Sequence, residues 1–117
     1  MTGKEIISKS LMLLGLQDST GNTSDARFLA LSKNALCFVL ADIFSRLGQD
    51  FEELKSLDVQ IDLPRQVLYD CVPYGVAAFV AEGVGDGDKQ QYFSAIYNLK
   101  RGSVVPNGDI GDIIPAP

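Results

Sequence analysis

The chain has 117 residues, of which 46% are hydrophobic and 21% charged, enough apolar surface to close one domain around a single core without disulfide or metal staples. Its formal net charge is −5 and its ten Lys and Arg are scattered, so it lacks the clustered cations with which proteins grip nucleic acid from outside.

Thr2 followed by Glu5 reads as a capping box, which predicts a first helix over residues 3–14. Ile7, Leu11 and Leu14 recur on one face of it, and Gly15 stands where a left-handed cap would end it. Residues 15–23, GLQDSTGNT, are turn chemistry. Thr23 or Ser24 then caps a second helix to about Leu47, with Gly48 as its stop. Leu29, Leu36, Leu40, Ile43 and Leu47 form its apolar stripe, flanked by Phe28, Leu31, Ala35 and Phe38. This arc is wider than the roughly 100° a surface helix needs, so the helix is either central in the domain or covered by a second subunit.

Between Gln49 and Leu63 the period changes. Leu57, Val59, Ile61 and Leu63 alternate with Asp58, Gln60 and Asp62, the pattern of an extended arm. No second strand of comparable clarity is present. The arm therefore either pairs with a neighbouring molecule or lies on its own helices with alternate side chains buried.

Pro64 opens a third helix, predicted over 64–82, with Val67, Leu68, Cys71, Val72, Val76, Phe79 and Val80 as its buried face. Pro73 falls inside it and should kink or split it. GVGDGD, residues 83–88, is a break. A fourth helix follows over 88–101, with Tyr92, Phe93, Ile96 and Leu99 at helical spacing and Gly102 as its end. The tail, SVVPNGDIGDIIPAP, mixes proline and glycine with the β-branched residues Val104, Val105, Ile110, Ile113 and Ile114. Such a segment is expected to dock, in its own subunit or in a neighbour, and to be dispensable for the fold.

The expected architecture is thus all-α: a small bundle of about four helices over residues 1–102, with a strand-like arm and a non-helical tail at 103–117. The residues expected at subunit or partner interfaces are Leu57, Val59, Ile61, Leu63, Val104, Val105, Ile110, Ile113 and Ile114.

The chemical inventory is sparse. The sequence has no histidine, so Ser-His-Asp and Cys-His arrangements cannot be built, and Cys37 and Cys71 lie in apolar helical stretches away from any CxxC pair. Asp50, Glu52 and Glu53 read as a solvated linker. The glycines at 83–87 follow a helix and lack the Lys-Ser/Thr ending of a phosphate loop. The calcium-loop reading of Asp86 and Asp88 fails at Tyr97, where a bidentate Glu should stand. No catalytic, cofactor or metal residues are assigned, and the expectation is a protein that binds other proteins. The start of the chain lacks the pattern of a secretion signal, and nowhere do about 18 apolar residues run consecutively, as a membrane-spanning helix requires.

The order of parts carries a resemblance. A capped helix ending in LMLLG, a Gly/Asn/Ser loop, a long helix, an extended insertion and then IDLPRQVLYDCVPYGVAAFVAEGVGDGDKQQYFSAIYNLKR is similar to the small head-to-tail connector, or adaptor, proteins of tailed bacteriophages and prophages. Leu63 and Pro64, the alanines 77, 78 and 81, Gly85 with Asp86, and Tyr92, Phe93 and Tyr97 carry the likeness, which covers the chain to about Arg101. The resemblance implies a structural virion protein, assembled in the host cytoplasm as a ring of about a dozen copies. It would extend the DNA channel beneath the portal protein and offer a face to tail-completion proteins, and an acidic surface suits a channel through which DNA slides without sticking. The alternative is a small helical accessory or regulatory protein that binds a single protein partner; neither reading is an enzyme.

Overall fold

The capping box forms as read. Thr2 Oγ1 accepts the Glu5 amide at 3.2 Å and Glu5 Oε1 accepts the Thr2 amide at 2.9 Å, and these bonds hold the Glu5 carboxyl below its ordinary range. In the computed structural model, which describes residues 1–16 and 26–106, this box starts α1 (Gly3–Leu13). Four more helices follow: α2 (Ala26–Arg46), α3 (Arg65–Asp70), α4 (Val72–Gly83) and α5 (Gly87–Arg101). The fold is all-α, a small helical bundle. The expected cap of α2 at Thr23 or Ser24 lies outside the described residues.

Three helices stop by the same device. Gly15, Gly48 and Gly85 have positive φ, near 70–77°. In each case the amide after the glycine reaches back to close the last turn: Leu16 to the Leu11 carbonyl, Gln49 to Phe44 and Asp86 to Ala81, all at 2.8–2.9 Å. A side chain would be strained at these angles, which is why glycine occupies them. Gly102 corrects the pattern. Its backbone stays right-handed (φ −60°), and turn hydrogen bonds carry the chain on to Val104.

Pro73 splits the third expected helix into α3 and α4 at Cys71, and it sits in the first turn of α4, where its missing amide costs nothing. The Tyr69 carbonyl, four residues earlier, would have accepted that amide. Lys9 Nζ of α1 bonds it instead, at 2.8 Å.

The centre of the bundle is α4, not α2: α4 packs against all four other helices, and Val72, Pro73, Val76, Ala77, Val80 and Ala81 are buried. Gly75 permits the closest approach, since a Cβ there would lie 2.8 Å from the Tyr97 ring of α5 and 2.9 Å from Val39 Cγ2 of α2. The buried stripe of α2 is Ser32, Ala35, Leu36, Val39, Leu40 and Ile43, while Leu29 is 43% exposed. Residues 27–46 have the length and mean hydropathy of a membrane span. Packing against α1 and α4 accounts for the apolarity of their inner face. On α5 the buried residues are Phe93 and Tyr97, while Tyr92 and Leu99, expected beside Phe93 on one face, point outward.

The arm lies on its own helices. Leu57 O accepts the Lys4 amide at 2.9 Å, satisfying a free donor in the first turn of α1, and Ile61 N donates to Met1 O at 3.0 Å. Gln60 makes an isolated antiparallel bridge to Thr2, and no strand is present among the described residues. Leu54 and Leu57 pack beside Gly3.

Candidate functional site

Two surfaces stand out on the bundle, one aromatic and one a groove of mixed polar and apolar lining. The first lies on α2 and α4, where Phe38 and Phe79 stack with ring centroids 5.9 Å apart and an interplanar angle of 22°. Phe38 is 66% exposed and Phe79 43%, so the pair faces outward, although Phe79 was expected in the core. α4 crosses α2 with Gly83 against Leu31, which extends the patch along both helices. Burying one such ring is worth about 1.5–3 kcal/mol.

The second is a groove of about 850 Å³, bounded by the end of α2 at Leu47, by Leu63 and Pro64, by Val67 of α3, by Leu99 and Lys100 of α5, and by Val104 to Pro106. Leu99, 78% exposed, stands at its rim. Lys100 Nζ reaches Asp70 at 2.9 Å and ties the α5 wall to the α3 wall; this contact raises the Lys100 pKa.

A polar clasp fixes that wall. Asp42 of α2 accepts both Arg101 Nε and Nη2, the latter at 2.8 Å, and the Tyr97 hydroxyl at 2.7 Å. One turn on, Arg46 donates to the carbonyls of Val104 (3.1 Å) and Gly102 (3.3 Å). The Arg101 guanidinium holds the Asp42 carboxyl below its usual range, with the Tyr97 hydroxyl helping. Burial, then the Asp42 charge, drives the Tyr97 phenol upward, so it stays protonated and donates. The clasp joins residues 55 to 59 positions apart and sets where the chain leaves α5. With both Arg101 and Asp42 about one-third exposed, its worth is that of geometry more than of raw charge attraction.

The structure distributes the interface residues expected from sequence. Ile61 is buried in its own chain, Leu57 and Leu63 are half-buried, and Val59 is 44% exposed. The arm as a whole is therefore not free to reach a neighbour; Leu63 and Val59 keep exposed surface. Val104 is 6% exposed and belongs to the core of its own chain. Val105 remains on the surface, and Ile110, Ile113 and Ile114 lie outside the described residues. Sequence reasoning missed the Phe38–Phe79 pair and the clasp. The clasp had a signal: Tyr97 and Arg101 are four apart on one helix face, and Asp42 interrupts the apolar arc of α2.

Burial pushes the Cys71 thiol up to about 11, so at neutral pH it is a protonated core residue rather than a nucleophile. Among the described residues no group of three potential metal-binding side chains gathers, and no buried side-chain nitrogen or oxygen lacks a partner. Compared with protein-family models, with curated proteins and with solved structures, the chain matches none.

Proposed function

We propose that this chain is a structural assembly subunit: a connector that forms a ring between the head and tail of a tailed bacteriophage and extends the DNA channel. The observation that carries the assembly reading is a pair of unlike surfaces with no residue in common, the aromatic Phe38–Phe79 face and the mixed polar and apolar groove around Leu63, Val67 and Leu99. A head-to-tail ring needs two unlike, mutually complementary surfaces on each subunit, whereas a two-fold dimer needs only one. The connector identity rests on the likeness to that family of the chain up to about Arg101, and the net charge of −5 suits a channel that DNA traverses without adhering. The portal protein and tail-completion proteins are the partners this assigns. No cofactor is required.

Native mass spectrometry of the full chain, alone and co-expressed with portal and tail-completion proteins of a tailed bacteriophage, tests the proposal. The expected result is a closed oligomer of the 12.6 kDa subunit that falls to monomer in the Phe38→Ser/Phe79→Ser variant while the helical circular dichroism is unchanged. A chain that stays monomeric under all these conditions, or forms only a one-to-one complex with a single partner, overturns the ring.

A further inference from the structure

The cations are scattered along the sequence, but folding gathers two of them on one ring. Lys9 of α1 and Arg65 of α3 place their charged groups 4.8 and 5.2 Å from the centroid of Tyr69. The two are not equally engaged. Lys9 Nζ donates to the Tyr69 carbonyl at 2.8 Å, whereas the Arg65 guanidinium has no hydrogen-bond or carboxylate partner among the described residues. Stacking over an aromatic face orients the planar guanidinium and leaves its five N–H donors open at the edge. Beside it is a hollow of about 290 Å³ whose lining includes Arg65, Tyr69, Leu63, Leu68 and Glu5. The Glu5 carboxylate is already committed, since it accepts the Thr2 amide at 2.9 Å and the Thr2 hydroxyl at 3.2 Å.

We infer that this hollow is a recognition site for one carboxylate of a partner protein, an Asp or Glu side chain followed by an apolar one. Arg65 takes the carboxylate through its open fork, the bidentate geometry that planar carboxylates favour. Lys9 lies no more than about 10 Å from Arg65, within about one Debye length, and adds attraction without touching the ligand. The apolar neighbour settles against Leu63, which lines both the hollow and the adjoining groove. Phosphate would meet the same donors, and the surroundings decide between the two. Glu5 lines the hollow, Asp62 at the groove's edge has no ion-pair partner among the described residues, and the chain carries a net charge of −5. A polyanion such as a nucleic-acid backbone is repelled by this field along its length, whereas a peptide with a single carboxylate presents its charge to Arg65 alone. The site stands whether or not the chain forms a ring.

Nuclear magnetic resonance titration of the full chain, following the Arg65 side-chain Nε–H signal, tests this. Four probes are compared: a blocked Leu-Glu-Leu peptide, its Leu-Gln-Leu counterpart, inorganic phosphate and a single-stranded oligonucleotide. The expected result is a saturable shift with the glutamate peptide in the millimolar range, and binding at least about tenfold weaker for the glutamine peptide. The Arg65→Gln variant, followed through the Leu63 and Tyr69 signals, should lose the glutamate peptide to the same degree with its helical circular dichroism unchanged. Tyr69→Leu, which keeps both cations but removes the ring that orients Arg65, should bind several-fold more weakly, and Tyr69→Phe should bind like the parent. No shift with the glutamate peptide, or equal binding of the glutamine peptide, overturns the site. Tighter binding of phosphate or of the oligonucleotide overturns the assignment to a protein carboxylate.

Discussion

Replacing Gly75 and Gly87 by alanine, one at a time, should move stability in opposite directions although both glycines are helical. Alanine gains about 0.8–1 kcal/mol over glycine in a helix interior, so propensity alone favours both changes. At Gly75 the new methyl would lie 2.8 Å from two Tyr97 ring carbons and 2.9 Å from Val39 Cγ2. Carbon atoms pack at about 3.5–4.0 Å, so these groups must separate by roughly 0.6–1 Å. Neither yields easily, because Val39 is fully buried under α4 and the Tyr97 ring is anchored through its hydroxyl to Asp42. Overpacking of this kind costs about 1–3 kcal/mol and outweighs the propensity gain, leaving Gly75→Ala less stable by up to about 2 kcal/mol. For a domain of this size each kcal/mol shifts the melting midpoint by about 4 °C, so the drop should be measurable by far-ultraviolet circular dichroism. Nothing lies within 4 Å of a methyl at Gly87, the first residue of α5, and that variant should match the parent or gain up to about 0.5 kcal/mol. If Gly75→Ala melts at or above the parent midpoint, the close packing of α4 against α5 described above is wrong.

Truncation separates body from tail: ending the chain after Gly102 removes the buried Val104 and one acceptor of Arg46 and should cost about 2–3 kcal/mol in urea unfolding, while ending it after Pro106 should cost less than about 1 kcal/mol. In the arm, Ile61→Ser should destabilise folding by about 2–4 kcal/mol because Ile61 is buried, whereas Val59→Ser should stay within about 0.5 kcal/mol; equal effects would refute the arrangement of the arm. The Asp42 carboxyl has a lowered folded-state pKa, so its contribution is fully present above the unfolded value near 3.8 and is lost as pH falls below that toward the folded value. Asp42→Asn should therefore unfold more easily at neutral pH and show a shallower loss of stability on acidification below pH 4; an unchanged acid slope would mean the clasp is not what titrates.

What could be read from the sequence alone was local. The Thr2–Glu5 box, the stops at Gly15 and Gly48, the break at Pro73 and the interruption within residues 83–88 all appear where the residues place them. Most of the backbone groups involved are satisfied within about five residues, which is why they are legible locally. Helical periodicity also gave the angular position of every apolar residue. It could not say which part of a wide apolar arc a neighbour would cover. Leu36 and Phe38 are both apolar residues of α2, yet Leu36, beside Gly3 of α1, is fully buried, while Phe38, stacked on Phe79 of α4, stays 66% exposed. The same holds for Val104, which looked like tail and became core once Arg46 held its carbonyl, and for the Asp42–Tyr97–Arg101 clasp. These pairings join positions more than 50 residues apart, and only the packing of α5 across α4 and α2 brings them within hydrogen-bonding distance.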